Sequence, residues 1–333
     1  MRHSNSVNKE SCVHYIDNNL KVVKTHPPTH AAHQVLIAVE AFGVNRADIL
    51  QRQGKYPPPQ GESEILGLEV AGEVIGCGPS VTRWKLGDRV CGLVAGGGYA
   101  QKVVVNEQHL MALPDSLTMS AAAGLSEVFL TAYQALFTIA NIQAGERVLI
   151  HAGASGVGLA AIQLAKLHQC DVAVTVSSEK KGAVCKAYGA NLIVNYQQQD
   201  FVNEIKSKWQ HGVDVVVDVV GGDYIPRNMN VLNMDGRIVC LSMLGGRMVE
   251  QFDLARLLAK RITLFGSTLR NRSQQYKAKL TREFEALYMK KFASGELKVP
   301  LDAVFKAEQV ADAHAKLEAN DSVGKLVCYW DDK

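Results

Sequence analysis

The sequence predicts an α/β protein in two parts: a β-rich first domain and a second built on a doubly wound parallel sheet of six strands. Three observations carry this. The 333-residue length exceeds one ordinary domain and falls short of three. Up to about residue 115 the chain is rich in Gly, Pro and β-branched residues, with short strand-like runs split by turn signals. From about residue 120 apolar strands and helical stretches alternate, the pattern of a parallel sheet with crossover helices.

In the first part the strand-like runs are Val35–Val39, Val70–Ile75, Arg89–Val94 and Lys102–Val105, separated by turns such as Gly87-Asp88 and Gly96-Gly97-Gly98. Ser120 then reads as an N-cap, with a helix over Leu125–Ala140. Six apolar strands follow: Arg147–Ala152, Val172–Ser177, Leu192–Tyr196, Val213–Val220, Arg237–Ser242 and Ile262–Ser267. Their unbroken apolar character fits strands buried on both faces. Helical patterns lie between them at Val157–His168, Glu179–Tyr188, Asp200–Gln210, Tyr224–Leu232 and Leu254–Lys260. A long polar helix (about Ser273–Ser294), a shorter one (about Glu308–Glu318) and a last strand, Lys325–Tyr329, return the chain toward the first domain's sheet. The expected division is residues 1–130 with 298–333, and 131–297.

Composition narrows the function. Hydrophobic residues are 47% and charged residues 21%, ordinary for a soluble globular chain. A net charge of +3 gives no basic stripe for dedicated nucleic-acid binding. No apolar run reaches the roughly 20 residues of a membrane span, and Met1–Glu10 lack the apolar region of a secretory signal. Seven cysteines without a C-x-x-C pair argue against zinc knuckles and a disulfide framework, and fit a reduced, cytoplasmic protein.

The strongest local signal is Val148-Leu149-Ile150-His151-Ala152-Gly153-Ala154-Ser155-Gly156-Val157-Gly158. A strand runs into a glycine-rich turn that opens a helix, where free N–H groups and the helix dipole favour a pyrophosphate. Ser155 replaces the middle glycine of G-x-G-x-x-G. A serine-hydrolase elbow fits poorly, because Val157 stands where its glycine belongs. The second strand ends Val176-Ser177-Ser178, with no acid for ribose hydroxyls, and Lys180 and Lys181 follow. Small hydroxyls and a lysine suit a 2′-phosphate, so NADP(H) is expected over NAD(H). Against this stand Glu179 and the reading of both lysines as a solvated helix face. His26, His30 and His33 are not at helical spacing on a helix, since Pro27 and Pro28 prevent one; they read as loop histidines.

Phe42–Asp48 and Gly67–Gly76 resemble the two ligand-bearing segments of zinc alcohol dehydrogenases, in the medium-chain dehydrogenase/reductase superfamily. Asn45 and Leu68 stand where that family has a zinc Cys and His; neither is a zinc ligand, and no four-Cys lobe is present, so no metal is expected. Val44–Asp48, Gln51–Pro59 and Ile65–Glu69 closely resemble the zinc-independent quinone oxidoreductases of the zeta-crystallin-like branch, nearest their damage-inducible subgroup. Gly96–Gly98, Val148–Gly158 and Asn195-Tyr196 also match, and the resemblance spans about residues 35–330.

The resemblance implies a GroES-like β-rich catalytic domain joined to a Rossmann domain, and metal-free hydride transfer from NADPH to quinones. By it, Asn45 and Asp48 line the substrate cleft, Tyr56 covers a flat substrate, and Thr131 contacts the nicotinamide side. The cofactor set it implies holds Asn45 and Thr131, the turn Gly153, Ala154, Ser155, Gly156, Val157 and Gly158, then Ser177, Ser178, Lys181 and Tyr196. It continues with Gly221, Ser242, Leu244, Gly245, Phe265, Gly266, Ser267 and Lys325. Tyr99, after the glycine run, departs from the family and is expected to alter the cleft. From the residues alone, Asn45 and Asp48 read equally as capping and turn chemistry, and Tyr56 as loop packing. Reduction of an enal or enone C=C bond, or a non-catalytic NADPH-binding sensor or structural role, remain alternative readings. The apolar sixth strand, with Ile262, Leu264 and Phe265, is expected at a sheet edge, where it would pair with a second copy in a homodimer or a tetramer.

Overall fold

The computed structural model describes residues 12–331; the reading of Met1–Glu10 falls on residues outside that range. A two-stranded antiparallel ribbon opens the chain, β1 (Val13–Ile16) and β2 (Val22–Thr25). The eleven-residue β3 (Gln34–Val44) is the spine of the first sheet, alternating partly and fully buried residues. Helix α1 (Arg46–Arg52) follows it, then β4 (Glu69–Cys77), β5 (Arg89–Leu93), β6 (Lys102–Asn106) and β7 (Leu110–Ala112).

The polypeptide leaves this sheet through α2 (Met119–Ala123) and α3 (Ser126–Tyr133). Thr118, not Ser120, caps α2: its hydroxyl accepts from the Ala121 N–H, while Ser120 is already inside the helix. The single helix expected over Leu125–Ala140 is instead α3 followed by a wider π-turn at Gln134–Ile139.

The second sheet then forms. Its elements are β8 (Arg147–Ile150), α4 (Gly156–Leu167), β9 (Asp171–Val176), α5 (Glu179–Ala187), β10 (Leu192–Asn195), α6 (Phe201–Lys208) and β11 (Val213–Asp218). It finishes with α7 (Tyr224–Val231), β12 (Leu232–Cys240), α8 (Leu254–Lys260) and β13 (Thr263–Gly266). All pairs are parallel, in the order β10-β9-β8-β11-β12-β13. Numbered within the sheet this is 3-2-1-4-5-6, so the order reverses between β8 and β11, where a doubly wound sheet opens its ligand crevice.

Helix α9 (Gln274–Ala293) lies back along the first domain, with Glu285 accepting from the Ala112 N–H at 2.9 Å. Strand β14 (Leu301–Lys306), α10 (Val310–Glu318) and β15 (Lys325–Tyr329) close the chain. β15 pairs antiparallel with β3, Leu326 opposite Val44, and β14 pairs with β15. The largest core cluster runs from β8, β9 and α4 through α3 to α9; a second fills the first domain's barrel-like sheet around Phe42, Tyr99 and Val310.

Candidate active site

At the carboxyl ends of β8 and β11 a cleft of about 740 Å³ runs between the two sheets. The turn after β8 forms one wall. Ser155 caps α4, its hydroxyl accepting from the Gly158 N–H at 3.0 Å, so the first turn of the helix opens onto the cleft. The neighbouring glycines are required by crowding. A Cβ on Gly158 would sit 2.5 Å from the Gly153 carbonyl oxygen, and one on Gly153 would sit 2.6 Å from Val174.

Ala154, Ser155, Gly156 and Val157 line the cleft, as do Ser177, Lys181, Tyr196, Ser242, Leu244, Gly245 and Ser267. Thr131, Lys325, Asn45 and Tyr56 continue the lining at the other end. Ser267 Oγ is buried without a hydrogen-bond partner, and a buried hydroxyl left so calls for a ligand or water. With the open α4 terminus, this makes the groove a fit for a dinucleotide. Lys181 Nζ donates to the Asn320 carbonyl at 2.6 Å, tying α5 to the loop before β15.

Several expected contacts lie behind the lining instead. Gly153 and Gly158 pack the turn against β9 and the helix start, as their crowding requires. Ser178 is the N-cap of α5, accepting from the Lys181 N–H at 3.3 Å, so its hydroxyl serves the helix. Gly221 holds the loop after β11, donating its N–H to Asp218. Phe265 packs on the core and Gly266 is open at the sheet edge.

Asp48 is the clearest correction. It was expected in the cleft, yet it is fully buried and absent from the lining. Its carboxylate accepts from the Asn45 N–H (2.7 Å), the Tyr99 hydroxyl (3.0 Å) and the Gly67 N–H (3.3 Å). The first of these is half of a capping box for α1, so the capping reading applies. Burial pushes its carboxyl up to about 6, against the pull of its hydrogen bonds and of Lys325. Tyr99 is likewise fully buried; its hydroxyl also meets His314 Nε2 at 2.9 Å. It braces α1 against α10 and does not shape the cleft.

Asn45, by contrast, faces the floor. Its Oδ1 accepts from Lys325 Nζ at 2.5 Å and its Nδ2 donates to Glu69 Oε1 at 3.0 Å. Lys325 Nζ also reaches Glu69 Oε1 at 2.5 Å and the Val44 carbonyl at 3.1 Å. Leu68 beside it is buried. At the zinc-ligand positions the chain therefore has an amide engaged by a lysine and a buried isobutyl group. Among the described residues no cluster of three or more His, Cys, Asp or Glu is placed to hold a metal.

Tyr56 is half-buried at the cleft's edge, with the Arg270 guanidinium 5.5 Å from its ring centroid; burial raises its hydroxyl pKa. Arg270 itself donates to the Ala95 carbonyl and to Gln51 Oε1, both at 2.8 Å, stitching the two domains together. Three features escaped sequence reasoning. Glu127, in the first turn of α3, lines the cleft. Arg270 gives no signal in a polar loop. A buried network of His151, Thr175, Asn228 and Asp218 fixes the loop after β11; only the polar His151 within an apolar strand hinted at it.

Comparison with known proteins agrees with this architecture. The family described as "Alcohol dehydrogenase GroES-like domain" matches residues 31–115, and "Zinc-binding dehydrogenase" matches 156–286, a span that excludes Asn45 and Leu68. Quinone oxidoreductase of Lama guanicoe is 32% identical over 305 residues, covering 90% of both chains. The human synaptic vesicle membrane protein VAT-1 homolog is 31% identical over 314 residues, 90% of this chain and 80% of that one. Among solved structures, a mycobacterial protein complexed with NADPH superposes with a TM-score of 0.85 at 28% identity, covering 95% of this chain and 99% of that one. CurK enoyl reductase gives 0.83 at 28%, covering 96% and 99%. With a GroES-like sheet, a six-stranded Rossmann sheet and an NAD(P)-type cleft between them, the chain is an oxidoreductase of the zinc-independent quinone oxidoreductase branch of the medium-chain dehydrogenases/reductases.

Proposed function

We propose that the protein is an NADPH-dependent quinone reductase that works without a metal. The observation that carries this is the continuous cleft, from the open start of α4 past Thr131 to the pocket of Asn45, Leu68 and Tyr56. Its length and lining support a flat acceptor held beside the far end of a dinucleotide. When bound, the cofactor supplies a hydride, and the chemistry is its own. The chain contributes position: the turn after β8 takes the pyrophosphate, Ser267 and Thr131 border the nicotinamide end, and Tyr56 with Leu68 forms an apolar face for a ring.

NADPH over NADH is supported by the end of β9. Ser177 and Lys181 line the cleft there, while the acid between them, Glu179, lies outside the lining. Lys181→Ala should weaken NADPH binding tenfold to a hundredfold, the worth of a charged hydrogen bond, and leave NADH binding nearly unchanged. Equal losses would remove the phosphate assignment. A second reading, reduction of an enal or enone C=C bond, draws support from the likeness to CurK enoyl reductase.

Steady-state NADPH oxidation with a panel of ortho- and para-quinones, enals and enones decides between them. Turnover of quinones with high kcat/KM supports the first reading and preference for enals the second. Tight NADPH binding with no turnover on any acceptor points to a sensor or structural protein.

A further inference from the structure

The floor of the cleft holds two carboxylates and one ammonium, and their hydrogen bonds are unequally shared. All three Lys325 protons are engaged, by Glu69 Oε1, Asn45 Oδ1 and the Val44 carbonyl. Glu69 is fully buried and takes that charge, and its Oε2 accepts the Glu127 N–H at 2.8 Å. The Glu127 carboxyl receives nothing: among the described residues no hydrogen bond or ion pair reaches it. It lines the cleft and also a small recess behind, walled by Leu68, Leu93, Val94 and Leu269 together with Arg270 and Lys277. Thr131, one turn further along α3, lines the same cleft.

We propose that Glu127 is the proton donor of this cleft, delivering its carboxyl proton to the substrate oxygen that becomes anionic when hydride arrives. The proposal rests on the quinone reductase reading. Hydride transfer brings two electrons and one hydrogen to the quinone, which becomes the monoanion of a hydroquinone, while the cofactor is oxidised. The Glu127 O–H bond breaks, its proton forms the second O–H bond of the hydroquinone, and the carboxylate left behind is reprotonated from solvent through the cleft mouth.

Electrostatics support a neutral Glu127 at pH 7. Burial and the neighbouring Glu69 charge push its carboxyl up to about 8, with Asp48 adding to the rise; Lys325 and Arg270 oppose it. The other groups facing this corner are Lys277 on α9 and Tyr56 on the loop after α1. Lys277 donates to the Arg270 carbonyl at 3.1 Å, and Tyr56 has its hydroxyl pKa raised. Neither is as ready a donor near neutral pH. A raised carboxyl is the property a general acid needs there.

Glu127→Gln keeps the shape and removes the proton. Three measurements on the full chain test the proposal. First, quinone reduction at pH 7 should fall by about a hundredfold, with NADPH affinity by fluorescence titration unchanged. Second, wild-type kcat/KM should decline above about pH 8, and this limb should vanish in Glu127→Gln but persist, at lower rate, in Glu127→Asp. Third, an infrared difference spectrum between wild type and Glu127→Gln at pH 7 should contain the carbonyl stretch of a protonated carboxyl.

Absence of that band overturns the proposal whatever the rates. Wild-type rates and an intact pH limb in Glu127→Gln overturn it also. An unmutated protein that reduces no quinone is a different failure, because it removes the functional reading before any variant is made.

Discussion

Lys325→Met tests how the cleft floor is held together. The substitution keeps most of the side chain's length and deletes its charge. Lys325 is 3% exposed and Glu69 fully buried, so the pair exchanges little with solvent. Removing the ammonium leaves the Glu69 carboxylate with two donors, Asn45 Nδ2 and the Glu127 N–H, and no counter-charge. Stranding one member of a buried ion pair costs about 3–5 kcal/mol. For a domain of this size that corresponds to a fall of about 6–20 °C in Tm. Differential scanning calorimetry of the ligand-free protein, following the transition of the first domain, reads it directly. Adding Glu69→Gln to Lys325→Met removes the stranded charge and should restore at least half of the loss, because the two effects are coupled and not additive. A fall below about 2 °C for Lys325→Met, or a double variant as unstable as the sum of the singles, would refute this account of the floor.

Asp48 gives a pH signature. Its carboxyl is raised from 3.8 in the unfolded chain to about 6 in the folded one, so the native state binds the proton more tightly. Its contribution is complete below about pH 4 and is lost as pH rises to about 6. Stability of wild type relative to Asp48→Asn should therefore drop by about 3 kcal/mol across that window and stay level above it; a constant difference in urea melts between pH 4 and 7 would contradict the burial argument. Prolonged EDTA treatment should leave turnover intact, and reversible loss on chelation would overturn the reading of Asn45 and Leu68. The exposed edge strand β13, with Leu264 43% exposed, is proposed to pair with its counterpart in a second copy. Light scattering at micromolar concentration should give twice 36.2 kDa, Leu264→Pro should reduce it, and a single-chain mass for the unmutated protein would exclude the pairing.

The parallel sheet was legible because its inner strands β8, β9 and β11 are largely buried, and each apolar run became a strand, β12 beginning five residues before its expected start and β13 lying exposed at the edge. β1, β2 and β7 were not. They are three or four residues long, β1 and β2 mixing polar with apolar side chains and β7 being only Leu110-Met111-Ala112, so period-2 alternation has no room to declare itself. The π-turn at 134–139 was invisible for another reason: its apolar spacing reads as a continued helix. At the site, local chemistry was readable where backbone geometry dictates residue type, as at Ser155 and the crowded glycines. Side-chain direction was not. Asn45 and Asp48 share a turn of α1, yet one faces the cleft and the other the Tyr99–His314 bracket, a choice made by elements hundreds of residues away. Glu127 gave no sign because an acid in the first turn of a helix is ordinary; its isolation depends on Glu69 and Lys325 meeting beneath it.

The pairing of β15 with β3 has a bearing on how the molecule is made. The first sheet draws strands from residues 34–112 and 301–329, with the whole nucleotide sheet (147–266) inserted between. On the ribosome the later domain can therefore finish first. Its six strands are contiguous and all emerge while β3 still presents a bare edge, inverting the usual rule that the amino-terminal unit folds ahead of the rest. That edge waits for β15, which is made after every strand of the nucleotide sheet, and so does the cation of the cleft, Lys325 at the start of that strand. A nascent chain can hold its nucleotide sheet intact while Glu69 still lacks its partner, and the floor of the cleft is assembled only once β15 has been made.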